Sequence, residues 1–163
     1  AFENLEMATN NPTPESRRAM SRAAHLAGKA INITKTTAPH ALSYAITSKY
    51  HTPHGMAVAV NLAPWLAYNG GVTDEDCADP RGADHVLRRI DRIIRLLGAT
   101  NIDDACASIR RLLRRIDCPV SLLDVGATTH DKRVEIVQSV NRERLSNNPR
   151  KASSDDLIQL LTP

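Results

Sequence analysis

The sequence predicts an all-α protein, folded as a single helical-bundle domain of about seven or eight helices. Aromatic residues make up only 3% of the 163 residues, so the core must be built from Ala, Leu, Ile and Val, whereas sheets draw on aromatic and β-branched side chains. Apolar residues recur at helical spacing in several segments, and no segment fits strand alternation better. The length suits one domain with a sizeable core.

The first half of the chain predicts three helices. A hydroxyl cap followed by proline and an acid starts the first long helix, predicted over residues 13–31. A second helix is predicted over residues 36–47, with its one proline in the first turn. Residues 53–69 are apolar on nearly every face and predict a buried central helix, kinked at Pro64.

The second half predicts four more helices. Residues 82–97 carry an apolar stripe at three- and four-residue spacing, and a glycine follows as a stop. An asparagine cap begins the next helix, over residues 101–116, which a Cys-Pro pair ends. Helices are also predicted over residues 131–145 and, after a serine cap, over residues 155–161.

The composition restricts the compartment and the partners. The net charge of +3 gives no reason to invoke nucleic acid or an anionic membrane. The three cysteines are widely spaced and form no C-x-x-C, which favours reduced thiols in a cytoplasmic protein. The longest apolar run, residues 56–68, is too short to span a bilayer. Residues 1–7 read as the interior of a helix, and we expect that further sequence precedes them.

Two of the six histidines lie where a metal ligand is useful. His40 lies early in a helix rich in threonine and alanine, and His54 begins the predicted central helix between Pro53 and Gly55. The proline fixes the entry of the chain, and the glycine lets another group approach the backbone. Neutral imidazoles suit Fe²⁺ or Zn²⁺, but a metal site needs more than two protein ligands. His51 and His54 are three residues apart, yet the intervening proline disfavours a regular helical zinc site.

The surroundings of these histidines resemble the iron-containing (group III) alcohol dehydrogenases. The resemblance covers essentially the whole chain, and its motifs are specific in combination rather than singly. They are Ala27-Gly28-Lys29-Ala30, Ala38-Pro39-His40-Ala41-Leu42-Ser43-Tyr44, Thr52-Pro53-His54-Gly55-Met56-Ala57, Tyr68-Asn69, Asp124-Val125-Gly126 and Asn148-Pro149-Arg150.

The resemblance implies a function and a division of the enzyme. It implies that His40 and His54 bind Fe²⁺ (or Zn²⁺), and that NAD(P)H reduces a small aldehyde to an alcohol. The Asp and His that complete the metal site in this family, four residues apart, have no counterpart here, and no glycine-rich nucleotide loop is present. We therefore expect residues 1–163 to be the C-terminal metal- and substrate-binding helical domain, with the N-terminal dinucleotide-binding domain absent. Alone it should be inactive and bind metal weakly; the family also implies a possible homodimer.

Residues 29–44 are similar to the branch that includes phosphonoacetaldehyde reductases. That resemblance implies reduction of phosphonoacetaldehyde to 2-hydroxyethylphosphonate. A cation among hydroxyls at a helix N-terminus suits an anion, which makes Lys35, Thr34 and Thr36 candidate substrate-binding residues. A surface lysine beside ordinary capping threonines explains the same residues equally well.

Tyr44 marks a departure from the family pattern. Many members carry a second histidine one helical turn after the ligand, and here Tyr44 takes that place, on the same face as His40. It is a candidate catalytic residue that hydrogen-bonds the substrate or relays a proton. The alternative is a tyrosine of the core.

Two other classes of function stay open at this stage. Arginines cluster on two predicted helices, as in a basic nucleic-acid-binding module, but they lie opposite the apolar stripes and lack interleaved aromatic residues. A helical domain that has lost catalysis is the third interpretation. Within the dehydrogenase class, another small aldehyde is the alternative substrate. The clustered arginines are Arg88, Arg89, Arg92, Arg95, Arg110, Arg111, Arg114 and Arg115.

Overall fold

The computed structural model describes residues 1–162, and the prediction of an all-α fold is confirmed. Ten helices lie in that range. An isolated antiparallel bridge pairs Cys77 with Arg150. The helices exceed the expected number mainly because two predicted helices are each broken in two. Their bounds are Phe2–Asn10 (α1), Pro14–Thr34 (α2), Ala38–Tyr50 (α3), His54–Ala59 (α4), Leu62–Gly70 (α5), Ala83–Leu96 (α6), Ile102–Arg115 (α7), His130–Gln138 (α8), Arg142–Leu145 (α9) and Ser154–Leu160 (α10).

The predicted kink at Pro64 is instead a break between α4 and α5, a few residues earlier. Pro64 falls in the first turn of α5, where its missing N–H needs no acceptor. In a continuous helix its ring would clash with the carbonyl of Val60, four residues before it. The buried Asn61 lies at the break, and its side-chain amide donates to the carbonyl oxygen of Ala57 at 2.8 Å.

The α5 helix joins two hydrophobic clusters. Its Trp65, 1% exposed, packs in a cluster built from α3, α4, α8, α9 and α10. Its Ala63 and Leu66 pack in a second cluster with α6 and α7. The central position predicted for this segment is therefore confirmed for α5, because one face of it serves each cluster.

The long helix α2 packs mainly against α1 and leaves most of its second half exposed to solvent. Leu26, Ile31 and Ile33 are 53%, 45% and 81% exposed. The α1 helix is tied to the end of α7, where Glu6 and Arg115 form an ion pair of 3.2 Å. The α2 helix thus projects from the bundle and carries its C-terminal end towards α9.

The motifs at residues 68–69 and 148–150 meet in space. The buried Asn148 and Asn69 exchange side-chain amide hydrogen bonds of 2.8 and 3.2 Å. Arg150 donates to Asp76 at 2.7 Å and to the carbonyl oxygen of Tyr68 at 2.8 Å, with its guanidinium 4.2 Å from the Tyr68 ring centroid. This asparagine pair and its arginine fasten the C-terminal segment to the end of α5.

The surface of α6 and α7 agrees with the expected solvated faces. Arg95 and Arg111 pair with carboxylates on their own helices, Asp91 at 3.9 Å and Asp104 at 3.6 Å. Within residues 1–162, no helix is both long enough and apolar enough to cross a membrane. The three cysteines are free thiols.

Candidate metal and substrate site

The structure brings together His40, in the first turn of α3, and His54, at the start of α4. His40 lies in the first turn of α3, where its backbone N–H donates to the carbonyl oxygen of Thr37 at 3.0 Å. His54 is the first residue of α4, directly after Pro53. Their ring centroids are 5.6 Å apart and the ring planes cross at 63°. Only three residues connect α3 to α4, and the two helices pack against each other. This packing fixes the distance between the two rings.

The buried Ser43 contacts the backbone of His40 and orients the ring of His54, a role that the sequence interpretation did not assign. Its hydroxyl donates to the carbonyl oxygen of His40 at 2.8 Å, and its oxygen lies 3.4 Å from Nδ1 of His54. Because the hydroxyl proton is engaged on the carbonyl, the serine oxygen can only accept from Nδ1–H of His54. That tautomer leaves the lone pair of Nε2 available to a ligand, as in other metal sites where a second group fixes the imidazole.

The environment of His40 favours its neutral form. Burial lowers the pKa of the His40 imidazole below its usual value of 6.5, and the nearby His54 and Arg144 lower it further. Both effects act in the same direction, since each disfavours an added positive charge. A neutral imidazole is the form that binds a metal ion.

The two histidines fit a shared divalent cation but do not complete its coordination. At metal–nitrogen distances of about 2.1 Å, two imidazoles that share an ion have ring centroids roughly 5 Å apart. The observed separation of 5.6 Å is close to that distance. Within residues 1–162, no group of three or more His, Cys, Asp or Glu side chains is placed to hold a metal.

Tyr44 lies beside the histidine pair and is not a core residue. It is 45% exposed, and its ring centroid lies 5.6 Å from that of His54, at a tilt of 38°. Arg144, from α9, donates to the Tyr44 hydroxyl oxygen at 2.9 Å, with its guanidinium 4.9 Å from the Tyr44 ring centroid. The hydroxyl oxygen accepts this bond, so the Tyr44 proton is free to be donated elsewhere.

A cavity of about 540 Å³ lies between the end of α2 and α9, and the Arg144 that bonds Tyr44 is among its lining residues. Lys35 and Thr36 line one wall, and Arg144 lies on the other. Thr34 is not among the lining residues, and its hydroxyl donates to the carbonyl oxygen of Ala30 at 3.0 Å. Of the predicted anion-binding residues, the structure therefore places Lys35 and Thr36 at one cavity.

Lys35 does not lie at the N-terminus of a helix, as the sequence suggested. It caps the C-terminal end of α2, and the N-cap of α3 is Thr37. Its backbone adopts φ 61° and ψ −168°, a region populated almost only by glycine. A strained lysine at a cavity wall is a feature that functional sites often show.

Comparison with known proteins identifies relatives over the full length of the chain. Residues 1–163 match the model of the Fe-containing alcohol dehydrogenase family, C-terminal. A phosphonoacetaldehyde reductase of Streptomyces viridochromogenes is 37% identical over 162 residues, which cover 99% of this chain and 40% of the relative. A sulfoacetaldehyde reductase of Bilophila wadsworthia is 29% identical over 157 residues, covering 93% of this chain and 39% of the relative.

Solved structures agree with these relatives. The sulfoacetaldehyde reductase from Bifidobacterium kashiwanohense, in complex with NAD⁺, superposes with a TM-score of 0.77 at 27% identity, covering 98% of this chain and 39% of that one. The chain spans about two fifths of the length of these three relatives. The resemblance read from the motifs is confirmed: this chain belongs to the iron-containing alcohol dehydrogenase family and corresponds to its C-terminal domain.

Proposed function

We propose that this chain is the metal- and substrate-binding part of a longer NAD(P)-linked reductase whose substrate is phosphonoacetaldehyde. The family comprises alcohol dehydrogenases and aldehyde reductases. The observation that carries the proposal is a cavity lined by Lys35 and by the Arg144 that bonds Tyr44 beside His54, because a neutral aldehyde would not need these two cations. The 37% identity to a phosphonoacetaldehyde reductase supports the same substrate.

His40 and His54 would hold Fe²⁺ or Zn²⁺ together with an Asp and a His from the preceding part of the polypeptide. A bound divalent cation would supply Lewis-acid polarisation of the carbonyl oxygen, and the nicotinamide of NAD(P)H would supply the hydride. Ser43 keeps Nε2 of His54 unprotonated for this purpose. A dinucleotide-binding domain upstream would present the cofactor.

Tyr44 would donate a hydrogen bond to the oxygen of the substrate carbonyl. Reduction leaves this oxygen as an alkoxide that needs a proton, and the Tyr44 hydroxyl is not consumed by its bond with Arg144, which it accepts. The proton lost from Tyr44 would be replaced from solvent, to which the side chain is 45% exposed. The product would be 2-hydroxyethylphosphonate.

The test compares aldehydes with the full-length polypeptide, loaded with Fe²⁺ or Zn²⁺ and supplied with NADH or NADPH. We expect kcat/KM for phosphonoacetaldehyde to exceed that for acetaldehyde and butyraldehyde by about 100-fold or more, because an unpaired cationic site penalises the neutral analogue. Equal values would contradict the proposed substrate. Sulfoacetaldehyde is the second candidate, since two relatives reduce it by name, and the same assay ranks it.

Replacement of Lys35 tests its part in this site. Lys35→Ala should lower the preference for phosphonoacetaldehyde over acetaldehyde, because a cation on the cavity wall is lost. Lys29→Ala, an exposed lysine on the same helix, is the matched control. A preference that survives in Lys35→Ala would show that this lysine does not bind the anionic group.

A further inference from the structure

We propose that Arg144 is the principal residue that binds the anionic group of the substrate and so decides between acidic and neutral aldehydes. The inference rests on the proposed function and deepens it, because no sequence motif or family resemblance singled out this arginine. Its ligand is a tetrahedral oxyanion, a phosphonate or sulfonate, carried one methylene from the aldehyde carbon. Three features of its placement support the inference.

The first feature is that Arg144 connects the cavity to the histidine pair. Its side chain lines the cavity wall opposite Lys35, and its guanidinium also bonds the hydroxyl of Tyr44. The Tyr44 ring in turn lies beside His54, at 5.6 Å between centroids. A short substrate with its carbonyl at His40 and His54 would therefore place its far end within reach of Arg144.

The second feature is that the guanidinium has donors to spare. One N–H group bonds Tyr44, and within residues 1–162 Arg144 forms no ion pair with a carboxylate. Glu143 also lines the cavity, so its walls carry the cations of Lys35 and Arg144 against one carboxylate. The planar fork of a guanidinium matches two oxygens of a phosphonate, which a lysine ammonium cannot do.

The third feature is that the backbone holds Arg144 in place. Asn141 caps the short helix α9 by accepting from the backbone N–H of Arg144 at 2.9 Å. The next residue, Leu145, is buried in the cluster shared with α3. The stacked Tyr44 ring restrains the guanidinium as well. A positioned arginine loses less entropy on binding an anion than a free one does.

The experiment measures the ratio of kcat/KM for phosphonoacetaldehyde to that for acetaldehyde in full-length wild type, Arg144→Met and Arg144→Lys. We expect the ratio to fall by about 100-fold in Arg144→Met, because methionine lacks both the positive charge and the planar guanidinium. In Arg144→Lys the ratio should fall by about tenfold, because lysine keeps the charge but lacks the guanidinium. In both variants the change should lie mainly in KM for the phosphonate. Arg142→Met is the matched control: Arg142 lies on the same helix but donates to Ser154, away from the cavity, and its ratio should equal that of wild type.

A second readout needs no turnover. Methylphosphonate, titrated calorimetrically, should bind wild type and Arg142→Met, and binding should be lost in Arg144→Met. A ratio and a methylphosphonate affinity unchanged in Arg144→Met would overturn the inference. Should Arg144→Met fail to fold, Arg144→Lys decides, since an unchanged ratio there also overturns it. A wild-type enzyme that shows no preference for either acidic aldehyde contradicts the proposed function instead. Loss of methylphosphonate binding in Arg144→Met but not in Arg142→Met would still assign the anion site to Arg144.

Discussion

At the scale of single residues, the candidate site depends on which nitrogen of each imidazole carries a proton. His40 is kept neutral by burial and by neighbouring positive charge, and His54 is oriented by one serine. Neither effect adds a metal ligand, but both determine whether an imidazole nitrogen is available to bind a metal ion. Arg144 acts on this site in two ways: it lowers the pKa of His40, and it restrains Tyr44, whose ring lies beside His54.

Ser43→Ala should weaken metal binding by about 10- to 100-fold, the range seen when the group that orients a metal-binding histidine is removed. Loss of the hydroxyl frees Nδ1 of His54, so the imidazole populates the other tautomer and rotates more freely. Metal affinity of the full-length polypeptide, measured by competition with a chelator, checks this. Ser48→Ala is the control. The Ser48 hydroxyl donates to the backbone carbonyl of Ala45, as the Ser43 hydroxyl does to that of His40, but it lies away from the histidines. Equal affinities in the two variants would argue against the role of Ser43.

The lowered pKa of His40 predicts an acid-sensitive fold in the metal-free protein. The unfolded chain takes up a proton at this histidine near pH 6.5, whereas the folded protein does so only at lower pH. Stability therefore falls as pH drops through 6.5 towards the folded pKa. Urea unfolding across this window should show a smaller decline in His40→Gln, which cannot titrate. The same slope in both proteins would mean that His40 is not the group responsible.

At the scale of elements, the junctions matter more than the helices themselves. The first turns of α3 and α4 hold the two histidines side by side, and the C-terminal end of α2 places the strained Lys35 at the cavity. The asparagine pair between α5 and the C-terminal segment shows that a motif typical of the family can have a structural role. It holds the segment that follows α9.

Asn148→Ala should lower the free energy of unfolding by about 1–3 kcal/mol, because it leaves the side chain of Asn69 and the carbonyl oxygen of Arg150 without their buried partner. Asn147→Ala is the control for stability, because the side chain of Asn147, next to Asn148 in the sequence, is exposed. Urea unfolding of the full-length polypeptide measures both. A difference below about 0.5 kcal/mol between them would show that the pair contributes little.

At the scale of the whole molecule, two imidazoles converge from the first turns of α3 and α4. Within residues 1–162, no group of three or more His, Cys, Asp or Glu side chains is placed to hold a metal ion. The relatives are more than twice as long as the matched region, so their remaining sequence has room for a nucleotide-binding domain and further ligands. The cavity lined by Lys35 and Arg144, in contrast, is formed by residues of this chain.

The isolated 163-residue chain should therefore bind Fe²⁺ or Zn²⁺ weakly and show no reductase activity. Two neutral ligands hold a divalent cation less firmly than three or four that include a carboxylate. Calorimetric titration of the isolated chain and of the full-length polypeptide with Zn²⁺ makes the comparison. Tight binding by the isolated chain would contradict the idea that the site is shared with an upstream segment.

From the amino-acid sequence alone, an all-α fold, the family and the pairing of His40 with His54 could be predicted, whereas two of the predicted helices are each divided in the structure. Helical periodicity and capping are local signals, and the motifs around the histidines are close in the chain. The orienting role of Ser43 also had a local signal, since it lies three residues after His40 on the same helix. The kink expected at Pro64 was misplaced because the steric conflict of a proline acts on the preceding turn.

The charges on the cavity walls come together through long-range packing. Arg144 contacts Tyr44 across 100 residues of sequence, and it lies among several arginines that look alike in the sequence. Its selection depends on how α9 packs against α3, and the capping of α9 and its buried leucine fix that packing. Local patterns identify residues able to bind an anion or a metal, but long-range packing selects the ones that converge, because it alone sets their distances.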